Sequence, residues 1–447
     1  MISLHTLLDN RDLSADELAL AQQRIAEAQR VFDQSHAAIA PSGPQSVFAA
    51  ANVWKGLALD RQTRFPTDAA SINLLRMKAP FAGYHLSILD RVDGLRHFPP
   101  LDDEVPRHIT ATDNAREMWD RLCRAVDPAA RLMPYVAAQH LTTFNLPSHL
   151  IVRTPGLFGE IGTLVDGVLC NADTILCQTR INALYAAGAL ERMAEIIAKR
   201  GTCRVLEIGP GYGALARTLM EIFPGQLEYI LCDLPSGLFY SSVYVGHYHP
   251  EARMVSLDIP YAGPAPGCTL VPNHLVSSVV TADFPVDVAI NTMSMPEMSV
   301  PQVDFYAGLI ASNLSPSGFF YEANTVMLAE HVDCKAIFAR IFPCRLTVTH
   351  GHIGLGGETH EIWSNQPFDA SRPPETAPAC GPLADMGAVL VFDALGRALQ
   401  AHAGALDGNL RWSLMMEAGR WLLTAGLPSH VIAQLLSGLG MTPKGRS

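Results

Sequence analysis

The sequence predicts an open, doubly wound α/β sheet with helical additions at both ends, and three stretches predict it. The apolar, β-branched run Val205-Leu206-Glu207-Ile208 leads straight into Gly209-Pro210-Gly211-Tyr212-Gly213 and then into the alanine-rich Ala214-Leu215-Ala216. That order reads as strand, tight turn, helix. A second strand, Leu227 to Asp233, ends on an acid. It stands roughly 20 residues beyond the glycines, the spacing at which a carboxylate reaches ribose hydroxyls in nucleotide-binding sheets. A third, Pro285 to Thr292, is apolar almost throughout, as a parallel strand covered on both faces should be. A sheet of this Rossmann-like kind binds its ligand in the crevice beyond the carboxyl ends of the strands.

The turn also selects the ligand. Gly209 and Gly211 admit backbone angles closed to other residues and let a ligand approach the main chain. The free N–H groups of the following helix face the same crevice. Gly209-x-Gly211-x-x-Ala214 fits the loose dinucleotide fingerprint, in which a helix N-terminus holds a pyrophosphate. Glu207, however, stands just before the first glycine, where its charge would repel that anion and attract a cation. S-adenosylmethionine carries a sulfonium and an ammonium and no phosphate, so it is the cofactor expected here. A nicotinamide-dependent oxidoreductase and a catalytically silent cofactor-binding scaffold are the competing classes.

The expected cofactor contacts are Glu207, Gly209, Gly211 and Gly213 in the turn, Asp233 at the ribose and Leu234 over the adenine. Asn273 ends a candidate strand from Cys268 and is expected near the adenine, with Asn291 and Thr292 at the end of the next strand. Gln178 and Arg180, on a helix that opens at Asp173, are candidates for the methionine carboxylate. The stretch Asn291 to Glu297 should face the transferred methyl. Glu297 is the first candidate for the base, with its alternative role a place beside the helix N-terminus near Pro301. His360, His350 and His352 are the other candidate bases, since imidazole titrates near neutral pH. Asn324, at the end of a strand from Gly318, would orient acceptor or cofactor.

Composition narrows the partners. The chain has 447 residues, nine cysteines with no Cys-x-x-Cys pair, and a formal net charge of −11. That length suggests two or three units. The cysteines read as small core residues in a reducing compartment, and no metal site is expected. The absence of a basic cluster argues against nucleic acid and anionic membranes. No apolar run approaches the roughly 18 residues of a membrane span, and residues 1 to 5 do not resemble a signal peptide. A cytoplasmic, homodimeric enzyme acting on a small molecule is the expectation.

Four regions follow. Residues 1–158 form a mostly helical N-terminal region, a substrate lid or dimerisation unit. It opens with the capping box Ser14 to Glu17 and an apolar stripe Leu18, Ala21, Ile25, Ala28 and Phe32 that runs to about Ala40. Shorter helical patterns cover Asp68 to Met77 and Thr112 to Ala125, and His85, His97, His108, His140 and His149 lack metal-ligand spacing. Residues 159–366 form the cofactor-binding domain. It closes with an antiparallel pair, Ile341 to Thr349 and His360 to Trp363, around the glycine-rich loop His350 to Gly357. Within it, His247 and His249 would share one side of an extended segment, a conceivable metal pair with no third ligand nearby. Residues 367–383 are a Pro- and Ala-rich linker, and 384–447 a helical appendage.

The segment from about Gly159 to Asn324 resembles the sugar O-methyltransferase family of class I S-adenosylmethionine-dependent enzymes. The likeness rests on Gly162-x-x-x-Asp166-Gly167, on Leu206-Glu207-Ile208-Gly209-x-Gly211-Tyr212-Gly213, and on Asp233-Leu234-Pro235. Ile290-Asn291-Thr292, Glu297-Met298, Val303-Asp304-Phe305-Tyr306 and Phe320-Tyr321 with Asn324 extend it. The resemblance implies a class I methyltransferase sheet and methyl transfer to a hydroxyl of a sugar or sugar-like natural-product intermediate. Two departures stand out: Pro210 replaces a second glycine, and Met293-Ser294-Met295-Pro296 replaces the family's stretch before Glu-Met. The second lines the substrate side, so the acceptor class is open, and a small-molecule N-methyltransferase is the alternative within the fold.

Overall fold

The computed structural model describes residues 5–7, 11–39, 46–50, 64–77, 146–160, 162–165, 168–170, 172–324, 331–348 and 359–368. The expected helix at Thr112 to Ala125, the loop carrying His350 and His352, the linker beyond residue 368 and the C-terminal helices lie outside these residues, as do His85, His97, His108 and His140.

In chain order the elements are β1 (His5–Leu7), α1 (Ala15–Ile39), α2 (Ala69–Asn73) with a 3-10 turn at Leu75–Met77, β2 (Gly162–Val165) and β3 (Val168–Cys170). Then come α3 (Ala172–Ala186), α4 (Ala189–Arg200), β4 (Cys203–Ile208), α5 (Ala214–Ile222), β5 (Leu227–Asp233), α6 (Leu238–Tyr248), β6 (Arg253–Met254) and β7 (Gly267–Pro272). The last are α7 (Val276–Val279), β8 (Val286–Thr292), α8 (Val300–Asn313), β9 (Leu314–Asn324), α9 (Cys334–Ile341), β10 (Cys344–Val348) and β11 (Thr359–Ser364).

The main sheet has eight strands in the order β10-β11-β9-β8-β4-β5-β7-β6. β4 pairs in parallel with both β5 and β8, while β11 runs antiparallel to its neighbours β9 and β10. The chain leaves β4 toward β5 and β7, then crosses back to β8, so the switch point lies between β4 and β8. The carboxyl end of β4 therefore faces an open crevice. The expected doubly wound sheet and its closing antiparallel pair are both present.

Strand alternation separates two faces. Val205, Tyr229, Val288 and Tyr321 pack into one core with α1 and α3 to α6. Leu206, Ile230, Ala289 and Phe320 pack into the other with α7, α8 and α9. Every residue of β4 and β8 is buried, so the sheet centre is covered on both sides.

α1 belongs to the first face. Its capping box forms as expected: the Ser14 amide donates to Glu17 Oε2 at 2.8 Å and the Glu17 amide to Ser14 Oγ at 3.3 Å. Ile25, Ala28 and Phe32 are at most 2 % exposed. Arg24 donates to the carbonyls of Pro250 and Ala252 beyond α6, and Phe65 stacks on Phe239 of α6 at 4.4 Å. The apolar stripe is thus satisfied within the chain.

Several expectations differ in detail. Strands β2 and β3 form a hairpin, not anticipated from the sequence, that β1 extends into a three-stranded sheet. Strands of three or four residues with no long apolar run give little periodic signal. The edge strand β6 is only two residues long. α6 runs on to Tyr248, which places His247 in the helix and His249 at its C-cap rather than on one extended segment, so the paired-metal arrangement is lost. α9 was not anticipated.

A candidate cofactor site at the carboxyl end of β4

Three left-handed glycines shape the turn after β4: φ is 67° at Gly209, 60° at Gly211 and 96° at Gly213. A β-carbon at Gly209 would also collide with the Ser294 side chain, which lies over the turn from the loop after β8. Gly209 N–H donates to the Cys232 carbonyl at 2.8 Å, which ties the turn to β5. Gly213 caps α5 without a side-chain hydrogen bond. The first N–H groups of that helix are accordingly not met by a cap side chain.

Two carboxyl groups end adjacent strands on the same face of the sheet. Glu207 pairs in register with Leu231, and Asp233 follows two residues later on the same side. Glu207 is 1 % exposed and accepts a hydrogen bond from Tyr229 Oη at 2.8 Å. Burial pushes its carboxyl up to about 7, against the opposing effects of the Tyr229 hydroxyl and the Arg180 charge. Asp233 is pushed up to about 7 by burial and further by the charges of Glu207 and Glu297, against the Leu234 amide that donates to its Oδ1 at 2.7 Å. Three acids therefore bear on one crevice, and the ionisation of Glu207 and Asp233 is opposed there.

The remaining cofactor candidates divide. Thr292 follows Ile290 on the Glu207 face, and Ile290 is the register partner of Glu207. Leu234 is half-buried next to Asp233, and its backbone opens α6. Asn291 belongs to the opposite face. Its Nδ2 donates to the Ile208 carbonyl at 2.8 Å and to Ser294 Oγ at 2.5 Å, while its Oδ1 accepts from the Met295 amide at 3.3 Å. It latches the loop after β8 onto the glycine turn. Asn273, 2 % exposed, donates to the Phe48 carbonyl at 2.9 Å, so its amide is engaged by a segment of the N-terminal region.

Gln178 is engaged elsewhere. Its Oε1 accepts from the Val152 amide at 2.7 Å, and its Nε2 donates to the Leu150 carbonyl and to Asn182 Oδ1, both at 3.0 Å. Both N–H groups are used within the protein, so the amide anchors the 150–152 loop to α3. Arg180, two residues on, is the group whose positive charge reaches the crevice: it favours ionisation of Glu207 and opposes protonation of His360.

Of the candidate catalytic residues, Glu297 ends a 3-10 turn, Met295–Glu297, directly after β8. It is half-buried. The cap of α8 is made instead by Ser299 and Gln302, which form a capping box of their own, so Glu297 is not the cap of that helix. His360 sits on β11 on the same face as Tyr321, with its Nδ1 2.8 Å from Tyr321 Oη. Burial, together with the charges of Arg180 and Lys335, pushes its imidazole down to about 4. Asn324 lies on the other face, where its Nδ2 donates to Glu322 Oε2 at 2.9 Å. Glu322 is itself pushed up to about 7 by burial, against Lys335. Asn291 and Asn324 thus lie across the sheet from Glu207 and His360.

Tyr229 escaped the sequence reading, and Met293 and Ser294, within the stretch expected to face the methyl, take parts that it did not specify. Tyr229 holds Glu207, and strand parity with Asp233 would have placed it on that face. Met293, the first residue past β8, has a left-handed φ of 63°. Such a conformation costs a non-glycine residue about 1–3 kcal/mol and persists only where the surroundings impose it. Here its amide donates to the Ala323 carbonyl at 3.0 Å, which pins the strained bend to β9. Ser294 covers Gly209. The left-handed bend at Met293 and the approach of Ser294 to Gly209 carry no local sequence signal. Among the described residues no group of three or more His, Cys, Asp or Glu could hold a metal ion, and no helix is long and apolar enough to cross a membrane.

No family model matches the chain, and no curated protein matches it. Solved structures do. The mitomycin 7-O-methyltransferase MmcR is 15 % identical over 43 % of this chain and 57 % of its own, with a TM-score of 0.26. CrArsM, an arsenic(III) S-adenosylmethionine methyltransferase from Chlamydomonas reinhardtii, is 13 % identical over 36 % of this chain and 61 % of its own, with a TM-score of 0.25. The PH0226 protein from Pyrococcus horikoshii OT3 is 13 % identical over 40 % of this chain and 90 % of its own, with a TM-score of 0.26. The chain spans less than two thirds of the first two. Scores this low carry no argument about activity. The strand order and the switch point describe the fold, which is Rossmann-like and consistent with the class I methyltransferase sheet.

Proposed function

We propose that the chain is an S-adenosylmethionine-dependent methyltransferase acting on a hydroxyl of a small molecule, a sugar or sugar-like natural-product intermediate. The observation that carries this reading is the pair Glu207 and Asp233, one buried and one half-buried carboxyl on one face beside a bare-backbone turn. A pyrophosphate would add repulsion to groups that already resist ionisation, whereas a sulfonium and an ammonium relieve it. That disfavours the nicotinamide-dependent alternative.

When bound, S-adenosylmethionine supplies an activated methyl group. Glu207 would meet the cationic methionine end, Asp233 the ribose, and Gly209, Gly211 and Gly213 would line the approach. Arg180 takes the methionine carboxylate in place of Gln178. The loop from Met293 to Glu297 would hold the acceptor oxygen at about 3–3.5 Å from the methyl, an orientation worth several kcal/mol. Glu297 removes the hydroxyl proton. His360 is the weaker candidate, because a ring that holds its proton only below about pH 4 drives proton removal poorly.

Calorimetric titration with S-adenosylmethionine and with NADH tests the class. Binding of the first and not the second is expected, and the reverse would overturn the reading. A nitrogen acceptor would show itself in turnover that survives Glu297→Gln, since an amine that is already neutral needs no base as the bond forms.

A further inference from the structure

Arg76 belongs to the N-terminal region, yet it is 1 % exposed and lies against the glycine turn. Its Nε donates to Glu160 Oε2 at 2.8 Å and its Nη2 bonds to Asp173 in the first turn of α3. Its guanidinium carbon stands 3.3 Å from the ring centroid of Tyr212, between Gly211 and Gly213. The backbone is fixed as well, with the Arg76 amide donating to the Phe158 carbonyl at 2.8 Å, and Phe158 holds a left-handed φ of 61°. On its other side Tyr212 meets the Tyr244 ring of α6 edge-on at 4.8 Å.

We propose that Arg76 is a positioning residue for the cofactor turn: stacked on Tyr212 and held by Glu160 and Asp173, it sets the path of Gly209 to Gly213 on which cofactor affinity depends. Three glycines with positive φ make a flexible segment, and Tyr212 is its one large side chain. A planar cation on the ring face, tied through Nε to Glu160 and through Nη2 to Asp173, fixes that side chain in a way an ammonium cannot. The inference rests on the cofactor reading above and gives the N-terminal region a part in the same site.

S-adenosylhomocysteine binding, measured by calorimetry on the full chain, is the readout. Tyr212→Phe keeps the ring and should bind as the wild type does. Tyr212→Leu should bind about 10-fold more weakly. Arg76→Lys should show a comparable loss, although removing the guanidinium from buried Glu160 and half-buried Asp173 risks unfolding, so the Tyr212 pair decides. Val279→Ala, in the core of the opposite face, is the control for destabilisation alone, with thermal unfolding followed in parallel. Wild-type affinity in Tyr212→Leu would overturn the inference. So would an equal loss in Val279→Ala at matched stability. If the wild type itself binds no S-adenosylhomocysteine, the cofactor reading falls and takes the inference with it, an outcome distinct from a wild type and a Tyr212→Leu protein that bind alike.

Discussion

Glu207 and Asp233 are acids held where ionisation is opposed. Their carboxyls titrate at about 7 in the folded chain, against about 4 when unfolded. As the pH rises, the unfolded chain therefore releases these protons first, so their contribution to stability is full below about pH 4 and is lost as pH climbs through 7. Without ligand, the unfolding midpoint should fall between pH 5 and 7.5. Glu207→Gln should flatten that fall, and an unchanged slope would remove Glu207 from the titration. A cationic ligand works in the opposite sense: S-adenosylmethionine affinity should rise from pH 6 to 8 and lose most of that rise in Glu207→Gln. At the acceptor side, Glu297→Gln should bind cofactor normally and lose about 10²-fold in turnover, the scale of one general base. Full activity there would mark a nitrogen acceptor or transfer the base to another group. His360 should contribute no titration above about pH 5, since its imidazole is already neutral.

At the scale of elements, the side-chain amides prove to be fasteners. Gln178 joins α3 to the 150–152 loop through three hydrogen bonds, and Asn291 joins β4 to the loop after β8. Gln178→Ala leaves buried backbone groups unmet and should cost about 1–3 kcal/mol of stability, with cofactor affinity changed less than twofold. Urea unfolding and calorimetry on the same preparation separate the two effects. A large loss of affinity at native stability would return Gln178 to the cofactor. Residues that end adjacent strands, such as Glu207 and Asp233, could be assigned from spacing because parallel register places neighbouring strand ends together. Residues inside a strand needed parity as well. Neither Asn291 nor Asn324 shares the Glu207 face, a fact that depends on where each strand begins in the ladder.

Taken as a whole, the N-terminal segments are not an appendage to the sheet. α1 covers α6, residues 46–50 cross the edge near Asn273 and α8, and Arg76 reaches the glycine turn. Deleting residues 1–39 exposes the faces on which Ile25, Ala28 and Phe32 are buried, at about 1.5–3 kcal/mol for each large side chain. The truncated chain should lose cooperative unfolding, seen by circular dichroism during heating. A truncated protein with the wild-type transition would make α1 a separate unit. The sequence by itself determined the doubly wound sheet, the glycine turn, the acids at two strand ends and the capped first helix, because each is written in contiguous residues with a fixed period or spacing. The tertiary structure alone decided that Tyr229 holds Glu207, that Gln178 faces the protein, that Met293 is strained and that Arg76 stands on Tyr212. These contacts join residues far apart in the chain, and only the packing of one element on another brings their side chains together.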